Sequence, residues 1–337
     1  MVKIDTATRP CCSVSVRFTL LAVLLLAASP TAALAEVIAF QSYTPASERP
    51  LLTRTYSLEP VALSGNLSLP VQKSPYQRAG KVPAVILMHG TGGIMRDREP
   101  AWSRRLNDWG VAAFYVDSFT GRGVTAPNYA GSPNFIPTVA HVVDAYQALA
   151  VLARHRAVDA NRIVVMGFSR GGEVALASMF DRFRRGILAD PSLRFAGHIA
   201  FYPYCGLHYR GNGVTSAPLL MLLGGADDVA SPEACRRQAD WLGTRTTVRT
   251  VLFTGANHDF DRSAGVSFDA KVVGIRACEA YYDVDTMAVQ YWRDGVSLGV
   301  SDWLAQCRYL GAHIGGDPAA LQRSSEEVAR FLAEVFR

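Results

Sequence analysis

The sequence lacks the patterns that mark several large classes of protein. It contains no H-E-x-x-H, no paired C-x-x-C and no histidines clustered at ligand spacing, so no metal centre is predicted. The glycines at 90–93 are not followed by the G-K-[ST] ending of a phosphate-binding loop, which argues against nucleotide binding. We therefore expect the protein to work without a cofactor.

Charge is also modest, at 19% of the 337 residues with a net +5. No lysine and arginine cluster or aromatic-interleaved basic stripe accompanies the excess, so no nucleic-acid partner is expected. There is no internal repeat or low-complexity tract. With 49% hydrophobic residues, the length suits one α/β domain with a large core.

Long apolar runs are scarce, and the one near the N-terminus is short. Three basic residues precede Phe18 to Ala28, and the small-residue site Ala33-Leu34-Ala35 follows. This pattern is typical of a secretory signal over residues 1–35, and an uncleaved anchor is the alternative. The run is too short to span hydrocarbon comfortably. We expect export to the periplasm or medium, with 36–337 as a mature chain that keeps no membrane span.

The pentapeptide Gly167-Phe168-Ser169-Arg170-Gly171 lies between an apolar strand predicted over 162–166 and a helix predicted over 172–180. A strand, sharp turn and helix in this order form a nucleophile elbow, in which the central side chain stands clear of the sheet. Ser169 is therefore the predicted nucleophile.

On such a fold the acid and the histidine follow later strands, in the order Ser, acid, His. The predicted strand Ala217 to Leu223 runs into a glycine turn with two carboxylates, Asp227 and Asp228, either of which can orient a histidine. The next strand, Val248 to Phe253, is followed by His258. These residues complete a predicted catalytic triad.

A glycine loop follows the buried strand predicted over Val82 to Met88. Its backbone N–H at Thr91, with that of Arg170 after the nucleophile, is expected to form the oxyanion hole. His89 is expected to brace this loop. Asp259, next to the predicted catalytic histidine, is expected to point away from it.

Six segments carry a resemblance to a known family: VILMHGTGG, VDSFTGRG, RIVVMGFSRGG, FYPYC, LLGGADD and GANHDF. Over about residues 60–260, and again in the last helix, the chain resembles the dienelactone hydrolase family. The resemblance implies an α/β-hydrolase fold, a Ser-His-Asp triad and, through the G-G-x-D spacing, Asp227 as the acid. The enzymes that name the family use an elbow cysteine and a nearby glutamate, whereas this chain has Ser169 and Gly90-Thr91. Their substrate is therefore not implied.

Buried strands alternate with helices from residue 82 onward, which predicts a mostly parallel sheet covered by helices on both faces. Residues 36–50 are expected to be irregular, and 51–69 to form an antiparallel edge hairpin. The segment 261–316 is an aromatic-rich insertion before the C-terminal helix. It is expected to form either a lid or substrate wall, or an extra helical pair packed on the surface.

Arg122, in a loop after a predicted strand, is expected either to bind a substrate carboxylate or to form a salt bridge, for example with Asp117. Four aromatic residues at strand ends are expected either to line the pocket or to belong to the core: Phe119, Phe168, Tyr202 and Tyr204.

Four cysteines follow the predicted signal, and an even number in an exported protein suggests disulfides. We expect the pairs Cys205–Cys235 and Cys278–Cys307. Buried free thiols are the alternative.

These features predict an exported serine hydrolase that cleaves a small carboxylic ester or lactone through an acyl-enzyme. Two other readings stay open, a peptidase or acyltransferase of prolyl-oligopeptidase type and a hydrolase-like module that binds without cleaving. The oligomeric state is not predicted.

Overall fold

An eight-stranded sheet runs through the centre of the protein. The computed structural model describes residues 1–2, 35–53, 59–125, 127–128, 132, 134–293, 296–297 and 300–337, so most of the predicted signal, 1–35, lies outside the described residues. In chain order the strands are β1 (Glu36–Ser42), β2 (Val61–Ser68), β3 (Val82–Met88), β4 (Ala112–Asp117), β5 (Val158–Phe168), β6 (Gly197–Phe201), β7 (Leu207–Arg210), β8 (Leu219–Gly224), β9 (Val248–Phe253), β10 (Ser267–Gly274), β11 (Ala280–Asp283), β12 (Ala288–Arg293), β13 (Val296–Ser297) and β14 (Tyr309–Ile314). The helices are α1 (Arg49–Thr53), α2 (Glu99–Asp108), α3 (Thr138–Leu152), α4 (Arg170–Ala177), α5 (Asp181–Ile187), α6 (Pro232–Gly243), α7 (Val300–Cys307) and α8 (Pro318–Val335).

The central sheet has the order β1-β2-β4-β3-β5-β6-β8-β9. β1 and β2 pair with each other in antiparallel fashion, as do β2 and β4, and every later pair in the order is parallel. Parallel strands bring their carboxyl ends to one edge of a sheet, so the loops after β3, β5, β8 and β9 meet there. The mostly parallel sheet predicted from the sequence is confirmed.

Helices cover both faces of the central sheet, so its central strands are buried on both sides. Every residue of β3 is buried, and its side chains alternate between two cores. Ala84 and Ile86 pack in the core that contains residues of α3 and α4, whereas Val85 and Leu87 pack in the core of α2 and α8. A strand buried on both faces reads as a continuous apolar run, which is why it was predictable.

Local chemistry fixes where two later helices begin. The Ser231 side chain accepts a hydrogen bond from the N–H of Ala234 at the start of α6, and Asp317 accepts two at the start of α8. Each cap is followed by a proline, the residue favoured at the first helical position. In the part of the chain that the structure describes, no helix has the length and apolar character needed to cross a membrane.

The N-terminal prediction was wrong in two places. Residues Glu36–Ser42 form β1 rather than an irregular lead-in, and β1 pairs with β2 from Glu36 opposite Leu67 to Ser42 opposite Val61. The edge hairpin expected within 51–69 is replaced by this pairing and by α1, with residues 54–58 outside the described part. In β1 only Phe40 and Ser42 are buried, so the strand leaves little periodic signal.

The insertion 261–316 contains mainly strands, so the extra helical pair considered for it is wrong. β10 and β14 form an antiparallel ribbon, and β11, β12 and β13 extend a second small sheet from β7. α7 is the one helix that the structure describes in this segment.

Both expected disulfides are present. Cys205–Cys235 joins the segment after β6 to α6, and Cys278–Cys307 joins the segment before β11 to the end of α7. All four bridged cysteines are buried. The second bridge lies wholly within the insertion and ties its small sheet to its helix.

Removing either disulfide should destabilise the protein by about 3 to 4 kcal/mol, because each bridge limits the unfolded chain. The bridges span 30 and 29 residues, so the double alanine variants of the two pairs should lose similar amounts. Urea unfolding of the unreduced proteins measures the loss. A double variant as stable as the wild type would contradict the assignment.

Candidate active site

Ser169 occupies the sharp turn between β5 and α4. Its backbone has φ 54° and ψ −114°, a combination that an L-residue adopts only under strain. The strain is held from both sides: the Ser169 N–H donates to the carbonyl of Phe201, and its own carbonyl accepts from the N–H of Glu173, both at 3.0 Å. The side chain is thereby presented at the carboxyl edge of the sheet.

Two glycines make this turn sterically accessible. A Cβ on Gly167 would overlap the carbonyl oxygen of Gly171, and a Cβ on Gly171 would overlap that of Met88. Helix α4 therefore passes too close to β5 and β3 for any larger residue at these positions. The glycine spacing around Ser169 is a packing requirement of the turn.

Three side chains from separate strand ends form a hydrogen-bonded row. The Oγ of Ser169 lies 2.9 Å from Nε2 of His258, and Nδ1 of His258 lies 2.8 Å from Oδ2 of Asp227. The second oxygen of Asp227 accepts from the N–H groups of Val229 and Ala230 at 2.8 and 2.9 Å. The carboxylate is thus fixed on both oxygens and orients the imidazole.

Asp228, the alternative acid, is engaged elsewhere. Its carboxylate accepts from the backbone N–H of His313 at 2.9 Å and lies 2.8 Å from Nδ1 of the same residue. The turn after β8 therefore directs its two carboxylates to different histidines. Only Asp227 contacts His258 among the described contacts of this turn.

The surroundings of His258 favour its protonated form. Burial lowers the pKa of its imidazole, but the charge and hydrogen bond of Asp227 outweigh burial, and the pKa is raised above the ordinary 6.5. The ring of Tyr202 packs 4.7 Å from the imidazole, centroid to centroid. The Tyr202 hydroxyl donates to Asp261, which also accepts from the indole of Trp102 at 2.7 Å. Tyr202 therefore supports the histidine and does not line the cavity.

The glycine loop after β3 faces the same row. Nδ1 of His89 lies 2.8 Å from the carbonyl of Gly90, and its Nε2 accepts from the N–H of Ser118 at 3.2 Å, so the imidazole braces the loop. Thr91 and Arg170, the residues expected to supply the oxyanion hole, both line the cavity that contains Ser169.

Asp259 lines the cavity that contains Ser169, so the expectation that it points away from the site is wrong. Its side chain is buried and accepts a hydrogen bond from Nη1 of Arg98 at 3.0 Å. Nη1 of Arg262 lies 3.8 Å from Oδ2 of Asp259. Nothing in the sequence distinguishes this carboxylate from an exposed loop residue, because its main partner is 161 positions distant along the chain.

A cavity of about 540 Å³ opens in front of Ser169 and His258. The insertion supplies one wall and the segments after β3 and β4 supply another. The apolar and aromatic residues that line it are Met95, Pro127, Phe135, Tyr204, Val229, Val272, Val273, Ile275, Trp303 and Ile314. Of the two possibilities left open for the insertion, a substrate-facing wall agrees with this arrangement.

Arg122 does not line the cavity, so of its two expected roles the contact with a substrate carboxylate is wrong and the salt bridge is present, with a different partner from the one suggested. Its guanidinium binds both oxygens of Asp144 at 2.8 Å and the carbonyls of Ser118 and Tyr43, also at 2.8 Å. Asp117, the partner suggested by the sequence, instead accepts from the backbone and hydroxyl of Thr120. The arginine holds loops together within the fold.

Among the four aromatic candidates, only Tyr204 lines the cavity. Phe168 is fully buried against Trp102 and Phe201, and Phe119 packs on His89. Phe119 and Phe168 therefore belong to the core, the second of the two roles expected for these rings.

Glu173, which sequence reasoning missed, lines the cavity from the first turn of α4. Its carboxyl oxygens accept from the hydroxyls of Thr138 at 3.2 Å and Tyr209 at 3.4 Å. Burial raises the pKa of Glu173 to about 7, although the charge of Arg170 opposes the rise. A buried carboxyl in a cleft with a shifted pKa is typical of a functional site.

A sheet of this order, with a nucleophile elbow after β5 and the acid and histidine loops after β8 and β9, defines an α/β-hydrolase. The model of the Dienelactone hydrolase family matches residues 71–284, more than half of the chain. The chain belongs to this family.

Solved structures agree on the fold. Esterase 2 of Thermogutta terrifontis, in a form phosphoramylated by tabun, is 16% identical with a TM-score of 0.52, and its propionate-bound form is 17% identical with a TM-score of 0.51. Each alignment covers 89% of this chain and 94% of the other. A protein of Klebsiella pneumoniae subsp. pneumoniae MGH 78578, described as a candidate dienelactone hydrolase, is 14% identical with a TM-score of 0.50, covering 89% of this chain and 99% of its own. A search of curated proteins found no match.

The Glu173 carboxyl should make stability depend on pH. Its pKa is about 7 in the folded protein against an ordinary 4.5, so the unfolded chain ionises first. Stability is therefore lost as the pH rises from the unfolded value through the folded one. Glu173→Gln removes the ionisation and should recover up to about 3 kcal/mol above that window.

Urea unfolding at about pH 5 and about pH 8, on either side of most of this titration, tests the effect in wild type and variant. The free energy of unfolding of Glu173→Gln should increase relative to that of the wild type as the pH rises. A difference between the two proteins that does not change with pH would contradict the assignment.

Proposed function

We propose that the protein is a serine hydrolase of carboxylic esters or lactones, with Ser169, His258 and Asp227 as its triad. His258 takes the serine proton while Oγ attacks the acyl carbonyl, and the tetrahedral intermediate collapses as the imidazolium returns the proton to the leaving alkoxide. Water, activated by the same imidazole, then releases the acid from the acyl-enzyme. The observation that carries the proposal is the continuous row of contacts at 2.9 and 2.8 Å.

The oxyanion of the intermediate needs donors on the side of the cavity opposite the histidine. We assign this role to the backbone N–H groups of Thr91 and Arg170. Two observations support the assignment: both residues line the cavity with Ser169, and Arg170 is the first residue of α4, where the helix dipole favours negative charge.

The cavity favours an uncharged substrate. Its walls are mainly apolar, and the arginines that line it already have protein partners. Arg98 is bound to Asp259, Arg262 lies 3.2 Å from Asp97, and Arg170 donates to the carbonyls of Asn128 and Ile136. A small neutral ester or lactone fits these surroundings better than a carboxylate-bearing substrate.

Two other functions are separated from this one by simple measurements. A peptidase or acyltransferase of prolyl-oligopeptidase type would cleave an amide as well as an ester with a matched leaving group, and we expect ester cleavage alone. A module that only binds would show no turnover. Repeated turnover of an ester by the purified chain excludes that reading.

We further propose that residues 1–35 are a signal and that 36–337 are exported as one hydrolase domain. The two disulfides support this proposal, because such bridges persist mainly in oxidising compartments. The small-residue site at 33–35 is consistent with cleavage at this point.

Replacing Ser169 with alanine should lower kcat for p-nitrophenyl acetate by about 10⁶-fold, because the nucleophile is lost. Steady-state kinetics on the purified mature chain measures the change. Ser263→Ala, an exposed serine outside the row of contacts, is the matched control and should keep wild-type rates. Undiminished activity in Ser169→Ala would reject the proposal.

The pH profile should report the raised pKa of His258. The imidazole acts as a base only when neutral, so kcat/KM for the same ester should fall on the acid side with a midpoint above 6.5. Asp228→Asn should leave this midpoint in place, since Asp228 contacts His313 instead. A wild-type midpoint below 6.5 would contradict the account.

A further inference from the structure

Arg98 is a fully buried cation beside the active-site cavity. Its exposed fraction is 1%, and it lies directly before α2, in the segment that follows the glycine loop. A buried guanidinium is costly unless every part of it is paired. The partners that this arginine has recruited therefore indicate its role.

The guanidinium contacts four residues from three parts of the chain. Its Nε donates to Glu99 Oε1 at 2.9 Å, its Nη1 donates to Asp259 Oδ1 at 3.0 Å, and its Nη2 lies 3.4 Å from the carbonyl of Gly93. Its central carbon is 5.0 Å from the centroid of the Phe168 ring. One planar group thus joins the segment after β3, the end of β5 and the loop after β9.

Three of these four contacts lie close in the chain to a member of the proposed machinery. Asp259 directly follows His258, and Phe168 directly precedes Ser169. Gly93 ends the loop that carries Thr91. In these contacts Arg98 does not touch His258, Ser169 or Thr91. It contacts residues close to them in the chain instead.

Glu99, the neighbour that pairs with Arg98, is itself held in place. Glu99 is fully buried, and its second oxygen accepts from the N–H of Met95 at 2.8 Å. The Glu99 carboxylate therefore ties the start of α2 to the backbone of the segment that precedes it. Movement of Asp259 relative to this segment would break a charge-assisted hydrogen bond in a buried setting, where such bonds are strongest.

We propose that Arg98 is a positioning residue, which fixes the loop of His258 at a set separation from the glycine loop of Thr91. The inference rests on the proposed function, because it gives these two loops their roles. Arginine suits this task because its rigid fork directs donors along fixed lines, whereas a lysine ammonium is a single point on a flexible stem.

The electrostatics supply a second readout. Beyond burial and the ion pair with Asp227, the Asp259 carboxylate raises the pKa of the His258 imidazole and the Arg98 guanidinium lowers it. Removing the guanidinium charge should therefore move the acid limb of kcat/KM to higher pH. A purely structural arginine far from the site would leave this limb unchanged.

The test compares Arg98→Lys and Arg98→Met with a matched control, Arg162→Lys. Arg162 is also buried, is paired with Asp159 at 2.8 Å, and lies toward the other end of β5 from Phe168. With p-nitrophenyl acetate, Arg98→Lys should lower kcat by about 100-fold with little change in KM, as expected for a displacement of about 1 Å at the reacting groups. Arg98→Met should in addition raise the acid midpoint.

Arg162→Lys should lose thermal stability but keep wild-type kcat and pH profile. If folded Arg98→Lys has the kcat and pH profile of Arg162→Lys, the positioning role is overturned. If Arg98→Lys does not fold, Asp259→Ala, which removes the acceptor of the same bridge from the histidine loop, decides by the same criterion. Loss of activity in Ser169→Ala together with normal rates in Arg98→Lys would overturn this inference alone and leave the proposed function standing.

Discussion

The close passage of α4 over β3 and β5 is the constraint on which the site depends. It forces glycine at 167 and 171 and holds Ser169 at a positive φ, with hydrogen bonds on both sides of the turn. The side chain of a serine elsewhere on β5 or α4 would point into one of the two cores or away from the carboxyl edge of the sheet, where the cavity lies. Because the strands that follow run parallel to β5, the loops of Asp227 and His258 are delivered to the same edge.

The parts of this arrangement that follow from continuous burial were predictable. β3 is buried throughout and has the bounds expected from its apolar run. β9 also has the expected bounds, although only Phe253 of its residues is buried. Each strand ends in a turn that carries polar side chains. The glycine pattern around Ser169 and the order of acid and histidine along the chain predicted which ends of these strands mattered. Local residue chemistry is sufficient where one strand and one turn contain all the information.

Features that depend on distant partners were not predictable. Arg98 lies in the run Arg96-Asp97-Arg98-Glu99, which reads as a solvated charged face, yet it is buried against a carboxylate 161 positions away. Arg122 forms a salt bridge, one of its two expected roles, but its partner is Asp144 and not the nearby Asp117 that the sequence suggested as an example. An edge strand such as β1, with two buried side chains, likewise acquires its structure only from pairing with β2.

The insertion builds one wall of the cavity. Its ribbon and α7 place Val272, Val273 and Trp303 on the cavity wall, and Cys278–Cys307 fixes this helix to the small sheet. The wall is mainly apolar and the arginines that line the cavity have partners within the protein, which is the basis of the proposal that the cavity selects substrates by size and by absence of charge. On this proposal, shape and desolvation, rather than an ionic clamp, govern which substrates reach Ser169.

Labelling with a fluorophosphonate tests the central claim most directly, because the reagent bonds covalently to a serine whose proton is taken by a neighbouring base. The account predicts one equivalent of label on the wild-type chain, located at Ser169 by mass spectrometry of the peptides. It predicts none on His258→Ala under the same conditions. Label at another residue, or equal labelling of the two proteins, would contradict it.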